Sequence, residues 1–196
     1  MDRLQVAGLC VTRGDREVLA HLAFSVGAGE ALHLIGRNGV GKTSLLEVLC
    51  GLRAPAGGTI RGQPQADELY WVGHRNGVHA ALSPFENLRF WCRLAAMPTA
   101  GVGDALRRVG LWGLRHRACG RLSTGQRRRA ALARLLVVPR PWWFLDEPLA
   151  GLDVAGIALT CDLVAEHVKR GGAVVLSSHQ ALPRTLPGLR ELVLAA

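Results

Sequence analysis

The fold of this chain is decided by the stretch Gly36-Arg37-Asn38-Gly39-Val40-Gly41-Lys42-Thr43. It matches the P-loop pattern G-x-x-x-x-G-K-T/S, in which glycines let backbone N–H groups converge on a phosphate. The Lys42 ammonium supplies a positive charge for the β- and γ-phosphates, and the Thr43 hydroxyl is a ligand for Mg²⁺. The pattern therefore predicts a site for a nucleoside triphosphate.

The residues on both sides of this stretch support that interpretation. Residues 31–35 are a short apolar run that predicts a buried strand, and residues 43–49 have the apolar spacing of a helix. A loop between such a strand and helix lies at a helix N-terminus, where the dipole favours anions. The alternative is a glycine-rich turn that binds nothing, and these flanks make it the less favoured one.

Length and composition indicate one α/β domain with a sizeable core. The chain has 196 residues, of which 49% are hydrophobic. No apolar run approaches the roughly 18 residues that a membrane-spanning helix needs. The first residues lack the basic and apolar regions of a signal peptide. The sequence therefore predicts a cytoplasmic protein that does not itself span a membrane.

The chain is basic, with a formal net charge of +9. Two of its 24 basic residues are lysine and 22 are arginine, which is typical of genomic composition bias. A basic surface can also meet nucleic acid, anionic lipid or an acidic partner. The five cysteines are dispersed and show no C-x-x-C spacing, so they indicate reduced thiols and no zinc site.

Local patterns predict the other elements. Strands are expected at residues 3–12, 18–26, 59–62, 69–73, 142–145, 173–176 and 191–194, and helices at 84 to about 97, 102–109, 111–114, 127–137 and 153 to about 170. Ser83 and Glu86 form a capping-box pattern before the first of these helices. That helix carries two apolar stripes, one of Phe85, Leu88 and Trp91 and a second of Phe90, Leu94 and Met97, and the second predicts either a protein partner or packing on both sides.

Two acidic residues follow the apolar run at 142–145. A buried strand would fix the Asp146 and Glu147 carboxylates at its carboxyl end. There Asp146 can hold Mg²⁺ through water, and Glu147 can orient or deprotonate an attacking water. Taken alone, the same residues could also be a strand followed by an acidic turn without chemistry.

Five landmarks in this order resemble the ATP-binding-cassette (ABC) ATPases. They are the P-loop, the stretch Leu122-Ser123-Thr124-Gly125-Gln126 (similar to the L-S-G-G-Q signature), the apolar-Asp-Glu run, residues 149–153, and His179 after a strand. The resemblance covers nearly the whole chain. It implies an α/β P-loop NTPase fold with a RecA-like core, an N-terminal antiparallel β subdomain and a small α-helical subdomain. The single domain would span residues 1–196, with the core at about 1–74 and 138–196 and the helical subdomain at about 75–137.

The resemblance also implies ATP and Mg²⁺ as ligands and a role for each motif residue. Two identical subunits would face head to tail, so that Ser123, Thr124, Gly125 and Gln126 act on the partner's nucleotide. His179 matches the switch histidine that contacts the γ-phosphate, and with Lys42 and Glu147 it forms the expected catalytic set. The expected nucleotide-binding residues are Gly36, Arg37, Asn38, Gly39, Val40, Gly41, Lys42, Thr43, Ser44 and Arg13, and the expected Mg²⁺ residues are Thr43, Asp146 and His74.

Three of these positions depart from the family pattern. Thr124 stands where glycine is usual, which adds a Cβ near the partner's phosphate. His74 stands at the position of a glutamine that senses Mg²⁺ and the membrane subunit, and imidazole can ligate or bridge through water. Arg13 stands where an aromatic ring stacks on adenine, and its guanidinium plane could cover the base.

Within the family, the chain looks like the ATP-binding subunits of the haem exporter of cytochrome c maturation. The residues that carry this resemblance are the pair Gly73-His74, the run Glu86-Asn87-Leu88-Arg89-Phe90-Trp91 and the signature followed by three arginines. It implies a peripheral subunit on the cytoplasmic face of the bacterial inner membrane, bound to small integral membrane subunits. ATP hydrolysis would drive haem export or release of a haem-loaded chaperone.

Other functions stay open at this point. One is the ATPase subunit of another small exporter. A second is a soluble cassette ATPase that binds nucleic acid through Arg127–Arg129 and the net charge. Three successive arginines fan out around a helix, so no nucleic acid is expected as a partner. A third, less favoured than structural roles, is direct haem ligation by His74, His79, His116 or Cys119.

Overall fold

A computed structural model describes residues 2–195 and divides them into two compact units. The core unit comprises the described residues up to 73, residues 140–148 and the described residues from 161 onward. The helical unit comprises residues 74–139 and 149–160. No helix in the described part of the chain combines the length and apolar character needed to cross a bilayer.

The core unit begins with an antiparallel sheet. Strands β1 (Leu4–Arg13) and β2 (Arg16–Val26) form the predicted hairpin, and β4 (Gly57–Arg61) pairs with the other side of β1, which gives the order β2-β1-β4. Inward residues of β1 such as Leu4, Val6 and Leu9 are buried. The strand thus has one buried face and one face toward water, as is common for antiparallel sheets.

The second sheet of the core unit is parallel and has the order β5-β6-β7-β3-β8. Its strands are β3 (Ala31–Ile35), β5 (Leu69–Val72), β6 (Trp142–Asp146), β7 (Ala173–Ser177) and β8 (Leu189–Val193). Every residue of β6 and β7 is buried, which explains their continuous apolar sequences. Because β6, β7 and β3 are parallel neighbours, the residues after them meet at one edge of the sheet.

Helix α1 (Lys42–Leu49) follows β3 and packs on β1, β6 and β7. Its side chains Leu45, Leu46 and Leu49 are completely buried, as is Phe144 of β6. Burial of each such side chain stabilises the fold by about 1.5–3 kcal/mol. The helix start that carries the P-loop is therefore anchored to the sheet by the apolar side of its own first two turns.

The helical unit contains α2 (Pro84–Leu94), α3 (Val102–Arg108), α4 (Thr124–Val137) and the start of α5 (Val154–Lys169), which continues into the core unit. Helices α2, α3 and α4 pack on one another. Both α2 and α4 begin with a complete capping box, formed by Ser83 with Glu86 and by Ser123 with Gln126. On α2, the second apolar stripe stays open: Phe90 is 53% exposed and Leu94 is 65% exposed.

The predicted fold class and all the predicted strands are confirmed, and three helix predictions need correction. Helix α4 begins at Thr124 and not at Arg127, because the Ser123 cap starts it three residues earlier. Helix α2 ends at Leu94 and not near Met97, since the chain turns through Ala96 at a φ of 53°. The helix predicted at 111–114 is one 3₁₀ turn at Trp112–Leu114.

Candidate nucleotide site

The loop of residues 36–41 connects β3 to α1 in the core unit, and glycine is required at two of its positions. A Cβ on Gly36 would lie 2.8 Å from the Leu194 carbonyl oxygen. Gly41 has a φ of 113°, and a Cβ there would lie 3.0 Å from the Leu19 side chain. The tip residues Arg37, Asn38 and Gly39 are exposed. The loop is thus an open cradle of backbone N–H groups, while Val40 is buried beneath it.

Lys42 and the α1 start complete this cradle. The Lys42 side chain is only 7% exposed. Its Nζ donates hydrogen bonds to the carbonyl oxygens of Gly36 (2.7 Å) and Arg37 (3.3 Å) and lies 3.4 Å from His179 Nε2. The ammonium is therefore held across the loop, where it can meet a phosphate that enters the cradle. Ser44 lies one position further along α1 and is buried.

The Asp146 carboxylate is buried at the end of β6 and is bonded through both oxygens. Its Oδ2 accepts a hydrogen bond from Thr43 Oγ1 (2.9 Å), and its Oδ1 accepts one from Ser177 Oγ (2.7 Å). Asp146 is 2% exposed and Ser177 is fully buried. Asp146, the last residue of β6, is thus bonded to both α1 and β7, which fixes the orientation of its carboxylate.

Glu147 and His179 face each other beside this carboxylate. Glu147 Oε1 lies 3.2 Å from His179 Nε2, and the His179 backbone N–H donates to Glu147 Oε2 (3.3 Å). Glu147 has a φ of 49°, which is uncommon for a residue with a Cβ and typical of functional sites. His179 Nε2 can donate to Glu147 when it carries the ring proton and accept from Lys42 when it does not, so the tautomer decides which bond forms.

The signature residues lie in the helical unit at the exposed start of α4. Ser123 and Thr124 are exposed, while Gly125 and Gln126 are half-buried. Ser123 Oγ accepts a hydrogen bond from the Gln126 backbone N–H (3.2 Å), which leaves its own O–H proton as a donor. The serine hydroxyl and the helix N-terminus thus point to a place where an anion can bind.

An open pocket of about 430 Å³ adjoins the signature. It is lined by Gly110, Leu111, Ser123, Thr124, Gly125, Gln126, Arg129, Gly151 and Asp153. Asp153 Oδ1 accepts hydrogen bonds from the Gly156 N–H (2.9 Å) and from the Arg129 guanidinium (2.5 Å). These two donors hold the pKa of the Asp153 carboxyl below its ordinary range. The loop at 149–153 is thereby fastened to α4 within the helical unit.

The three successive arginines of α4 do not form one basic stripe. Arg127 donates to the Leu122 carbonyl oxygen (2.7 Å), Arg128 is 3% exposed and Arg129 pairs with Asp153. Each guanidinium therefore has a partner or position within the fold, as expected for residues spaced 100° apart on a helix.

Two further predicted residues have open surroundings. Arg13 is exposed at the end of β1, on the hairpin whose residues Val18 and Leu19 lie against Gly41. His74 is the first residue of the helical unit and is exposed. The roles assigned to them, adenine stacking and contact with Mg²⁺, stay predictions.

The side chains considered for haem ligation lie in separate surroundings in the helical unit. The His79 backbone N–H donates to Asn87 Oδ1 (2.9 Å), and the His116 ring lies edge-on to the Phe85 ring. Cys119 is fully buried and receives a hydrogen bond from Asn87, and burial raises the pKa of its thiol. Among residues 2–195 no three His, Cys, Asp or Glu side chains are grouped as metal ligands.

Ser177 is a member of the site that the sequence did not single out. Its Oγ donates to Asp146 and accepts the Glu147 backbone N–H (2.9 Å), so it touches both acidic residues. In the parallel register of β6 and β7, Asp146 lies opposite Ser177. The signal available in the sequence was a hydroxyl residue that ends an apolar strand shortly before His179.

Comparisons with known proteins agree on one family. The ABC transporter family model matches residues 19–150. The cytochrome c biogenesis ATP-binding export protein CcmA of Brucella abortus (strain 2308) is 40% identical over 192 residues, covering 95% of this chain and 88% of that protein. The protein of the same name from Rhodopseudomonas palustris (strain HaA2) is 44% identical over 198 residues, covering 96% and 97%.

Solved structures show the same likeness. A putative ABC transporter ATP-binding protein from Pyrococcus furiosus superposes with a TM-score of 0.85 at 26% identity and covers 98% of both chains.

The CcmA protein of Bradyrhizobium diazoefficiens adds a third relative by sequence, 44% identical over 188 residues and covering 91% of this chain and 94% of that one.

Proposed function

This chain belongs to the ABC transporter family of ATP-hydrolysing proteins, and from that premise we propose that it powers an exporter of cytochrome c biogenesis. It is an ATPase subunit that couples hydrolysis to transport. The finer proposal, export of haem or release of a haem-loaded chaperone, rests on the names of the relatives and on the sequence resemblance described above.

The observation that carries the enzymatic part is the convergence of five side chains at one edge of the parallel sheet. Lys42 and Thr43 come from the start of α1, Asp146 and Glu147 from the end of β6, and His179 from the end of β7. Contacts of 2.9–3.4 Å join Thr43 to Asp146, and Lys42 and Glu147 to His179, within the core unit. Such a set supplies both phosphate binding and activation of water.

The residues present fit ATP and Mg²⁺. Gly36 and Gly41 keep the loop packed on Leu194 and Leu19, where a Cβ would not fit, and the loop amides and Lys42 complement a triphosphate. Thr43 Oγ1 and Asp146 Oδ2 are oxygen ligands of the type that Mg²⁺ prefers, and they lie 2.9 Å apart. Mg²⁺ bound there would neutralise charge that develops on the phosphates during transfer.

Different side chains of the chain would bind the phosphates and activate the attacking water. We expect Lys42 to hold the β- and γ-phosphates and Glu147 to orient the attacking water and accept its proton. His179 holds the Glu147 carboxylate from one side, so the proton acceptor stays in place. The backbone of Glu147 is in turn fixed by its hydrogen bond to Ser177.

We also propose that a second copy of the chain completes the site. The exposed Ser123 hydroxyl and the α4 N-terminus would bind the nucleotide held by the partner's P-loop, with Thr124 and Gly125 beside it. Support comes from the open pocket at the signature and from the O–H proton that the capping box leaves available. The partners beyond this homodimer are membrane subunits, which would place the chain on the cytoplasmic face of the inner membrane.

A single substitution tests the enzymatic proposal. Glu147→Gln should keep ATP binding but lower turnover by about 10²- to 10⁴-fold, the usual contribution of a general base. Glu191→Gln removes an exposed carboxylate from β8 and serves as the matched control. Steady-state phosphate release and ATP titration are measured on both variants. Turnover in Glu147→Gln equal to that of the control would refute the role of Glu147.

A second experiment tests the pathway. Deleting the gene in its host should abolish haem-stained c-type cytochromes, and the wild-type chain should restore them. The Glu147→Gln variant should be made at the same level and fail to restore them. Normal c-type cytochromes in the deletion strain would leave the ATPase assignment intact and exclude the proposed pathway.

A further inference from the structure

The net positive charge of the chain lies in one unit, because basic and acidic residues balance in the other. Of the 24 basic and 15 acidic residues, the helical unit contains 12 basic and three acidic residues, and the core unit contains 12 of each. The whole net charge of +9 therefore belongs to the helical unit. Genomic preference for arginine over lysine does not produce this difference, because it arises from the scarcity of acidic residues in the helical unit.

Part of this charge is organised around an exposed indole. The Cζ atoms of Arg107 and Arg115 lie 4.0 and 4.2 Å from the ring centroid of Trp112. Trp112 is 36% exposed, and the Arg107 side chain is 54% exposed. Guanidinium groups on an aromatic face keep their N–H edges available for anions, particularly for planar or bidentate oxygen pairs.

A second ring extends the same surface. Arg89 Cζ lies 5.7 Å from the Phe85 ring centroid, and the His116 and Phe85 ring centroids are 5.7 Å apart in an edge-to-face arrangement. The Phe85 backbone N–H donates to the Arg115 carbonyl oxygen (3.1 Å), which joins the start of α2 to the segment that carries Arg115. We call these residues the arginine–aromatic surface: Phe85, Arg89, Arg107, Trp112, Arg115 and His116.

Two carboxylates border this surface, and each is engaged locally. Glu86 accepts hydrogen bonds from the backbone and hydroxyl of Ser83, which lower the pKa of its carboxyl. Asp104 pairs with Arg107 (2.7 Å). In the described part of the chain, neither Arg89 nor Arg115 forms an ion pair, so the surface keeps an excess of positive charge.

We propose that the arginine–aromatic surface binds the anionic headgroups of a membrane. This rests on the proposed function, in which the chain works beside membrane subunits. Tryptophan and arginine are typical of the membrane–water interface, and arginine binds phosphate groups. Cytoplasmic loops of membrane proteins carry an excess of lysine and arginine, so they complement this surface poorly, whereas anionic lipids complement it well.

Vesicle binding of the full chain tests this proposal. The protein is sedimented with vesicles of phosphatidylcholine alone and of phosphatidylcholine mixed with phosphatidylglycerol, at low and high salt. The wild type should partition onto the mixed vesicles only, and salt should reverse it. Arg107→Gln with Arg115→Gln should weaken partition about 25-fold, at about fivefold for each arginine near an anionic surface.

The control removes the same charge from the core unit. Arg61→Gln with Arg184→Gln changes two exposed arginines there and should leave partition within about twofold of wild type. Equal loss in both double variants, or equal binding to both kinds of vesicle, would overturn the proposal. Tighter binding to duplex DNA at equal phosphate and salt would make nucleic acid the occupant and would also overturn it. ATP hydrolysis of all the variants is measured in solution, so failure of the ATPase assignment is seen separately.

A different observation carries a second inference, on Ser177. This side chain is fully buried, and its hydroxyl is the only group in the described site that bonds to both acidic residues: it donates to Asp146 and accepts the Glu147 N–H. We infer that Ser177 is a positioning residue of the proposed hydrolysis reaction. It turns Asp146 Oδ2 toward Thr43 and holds Glu147 in its left-handed backbone conformation.

The neighbouring serine offers a matched control. Ser178 is also buried, but its hydroxyl accepts a hydrogen bond from the Gln180 N–H and bonds to neither acidic residue. Ser177→Ala should lower kcat about 10- to 100-fold, as for loss of a hydrogen bond to a charged group, and raise the Mg²⁺ concentration for half-maximal activity. Ser177→Thr, which keeps the hydroxyl, should recover part of both.

The Mg²⁺ dependence separates positioning from simple destabilisation. Ser178→Ala should change the unfolding temperature by a similar amount and leave the Mg²⁺ dependence at the wild-type value. An unchanged Mg²⁺ dependence and kcat in Ser177→Ala, alongside an active wild type and an inactive Glu147→Gln variant, would refute the role of Ser177 while leaving the proposed function intact.

Discussion

The core unit and the helical unit treat their functional groups in opposite ways. In the core unit, Thr43, Asp146, Ser177, Glu147 and His179 are bonded or in contact with one another. In the helical unit, Ser123 and Thr124 are exposed beside an open pocket, and twelve basic residues stand against three acidic ones. The functional side chains of the core unit are thus positioned by bonds to one another. Those of the helical unit are exposed, so they are available to bind another molecule.

The largest effect is expected from a substitution that distorts the phosphate-binding loop of the core unit. Gly41→Ala places a Cβ 3.0 Å from Leu19 at a φ of 113°, so the loop must shift. We expect ATP binding to fall more than about 100-fold, because the amide cradle no longer converges on the phosphates. Calorimetric titration with ATP measures it.

The control for this substitution is another glycine with a positive φ. Gly14, in the β1–β2 turn, has a φ of 61° and open space around it. Gly14→Ala should cost about 1 kcal/mol of stability from backbone strain alone and leave ATP affinity unchanged. Equal ATP affinity in the two variants would show that the Gly41 conformation does not shape the site.

The next effect sharpens the contrast inside the helical unit, where two serines cap helices in the same way. Ser83→Ala and Ser123→Ala should each cost about 1 kcal/mol of stability through the lost cap. Only Ser123→Ala should also weaken ATP-dependent dimerisation and hydrolysis, because Ser123 is exposed and Ser83 is 3% exposed. Sedimentation of the dimer with ATP, in a hydrolysis-deficient background, separates the two; the same loss in both variants would contradict the role in trans.

A smaller effect is expected when acid weakens the core unit. The His167 ring stacks on Trp143 at 3.8 Å between centroids, and burial lowers the pKa of His167 below its ordinary value of 6.5. The unfolded chain therefore binds this proton more readily, so the stabilisation is complete above about pH 6.5 and declines as the pH falls through that value. His167→Phe keeps a stacking ring and should flatten the decline in unfolding free energy between pH 7.5 and 5.5, measured with urea. Parallel pH curves for the two proteins would contradict this.

The smallest effect concerns Asp153, which bonds the loop at 149–153 to α4 and to the start of α5 in the helical unit. The Gly156 N–H and the Arg129 guanidinium lower the pKa of Asp153 below its ordinary value of 3.8. Its charged form therefore stabilises the start of α5 above about pH 3.8, and this contribution is lost as the pH falls through the lowered pKa. Asp153→Asn should slightly increase amide hydrogen exchange at 154–157 at neutral pH, with no difference from wild type well below pH 3. An equal difference at both pH values would exclude titration of Asp153 as the cause.

Much of the fold follows from patterns that are local in sequence. The glycines and lysine of the P-loop, the apolar run before Asp146 and the capping box at Ser83 and Glu86 each involve residues a few positions apart. Such patterns act through the backbone conformation and the first helical turn, so they can be interpreted without knowing the rest of the structure. The α4 start was predicted at Arg127, three residues late, whereas the capping box of Ser123 and Gln126 begins the helix at Thr124.

The remaining features depend on residues that are distant in sequence. Ser177 meets Asp146 only through the register of β6 and β7, and Arg129 meets Asp153 across 24 residues. The second apolar stripe of α2 could have been packed or open, and it is Phe90 and Leu94 that the described structure leaves exposed. No periodicity along one segment contains this information, because it is set by which segments pack together.

The sequence by itself determined that this chain has a phosphate-binding loop, two acids behind a buried strand and a signature of the ABC ATPases. Those features are short, and their chemistry requires particular residue types at fixed spacing. Only the tertiary structure decided that Ser177 joins the two acids and that the positive charge gathers in the helical unit. Hydrogen bonds and surface charge depend on distances in space, which strand register and helix packing set.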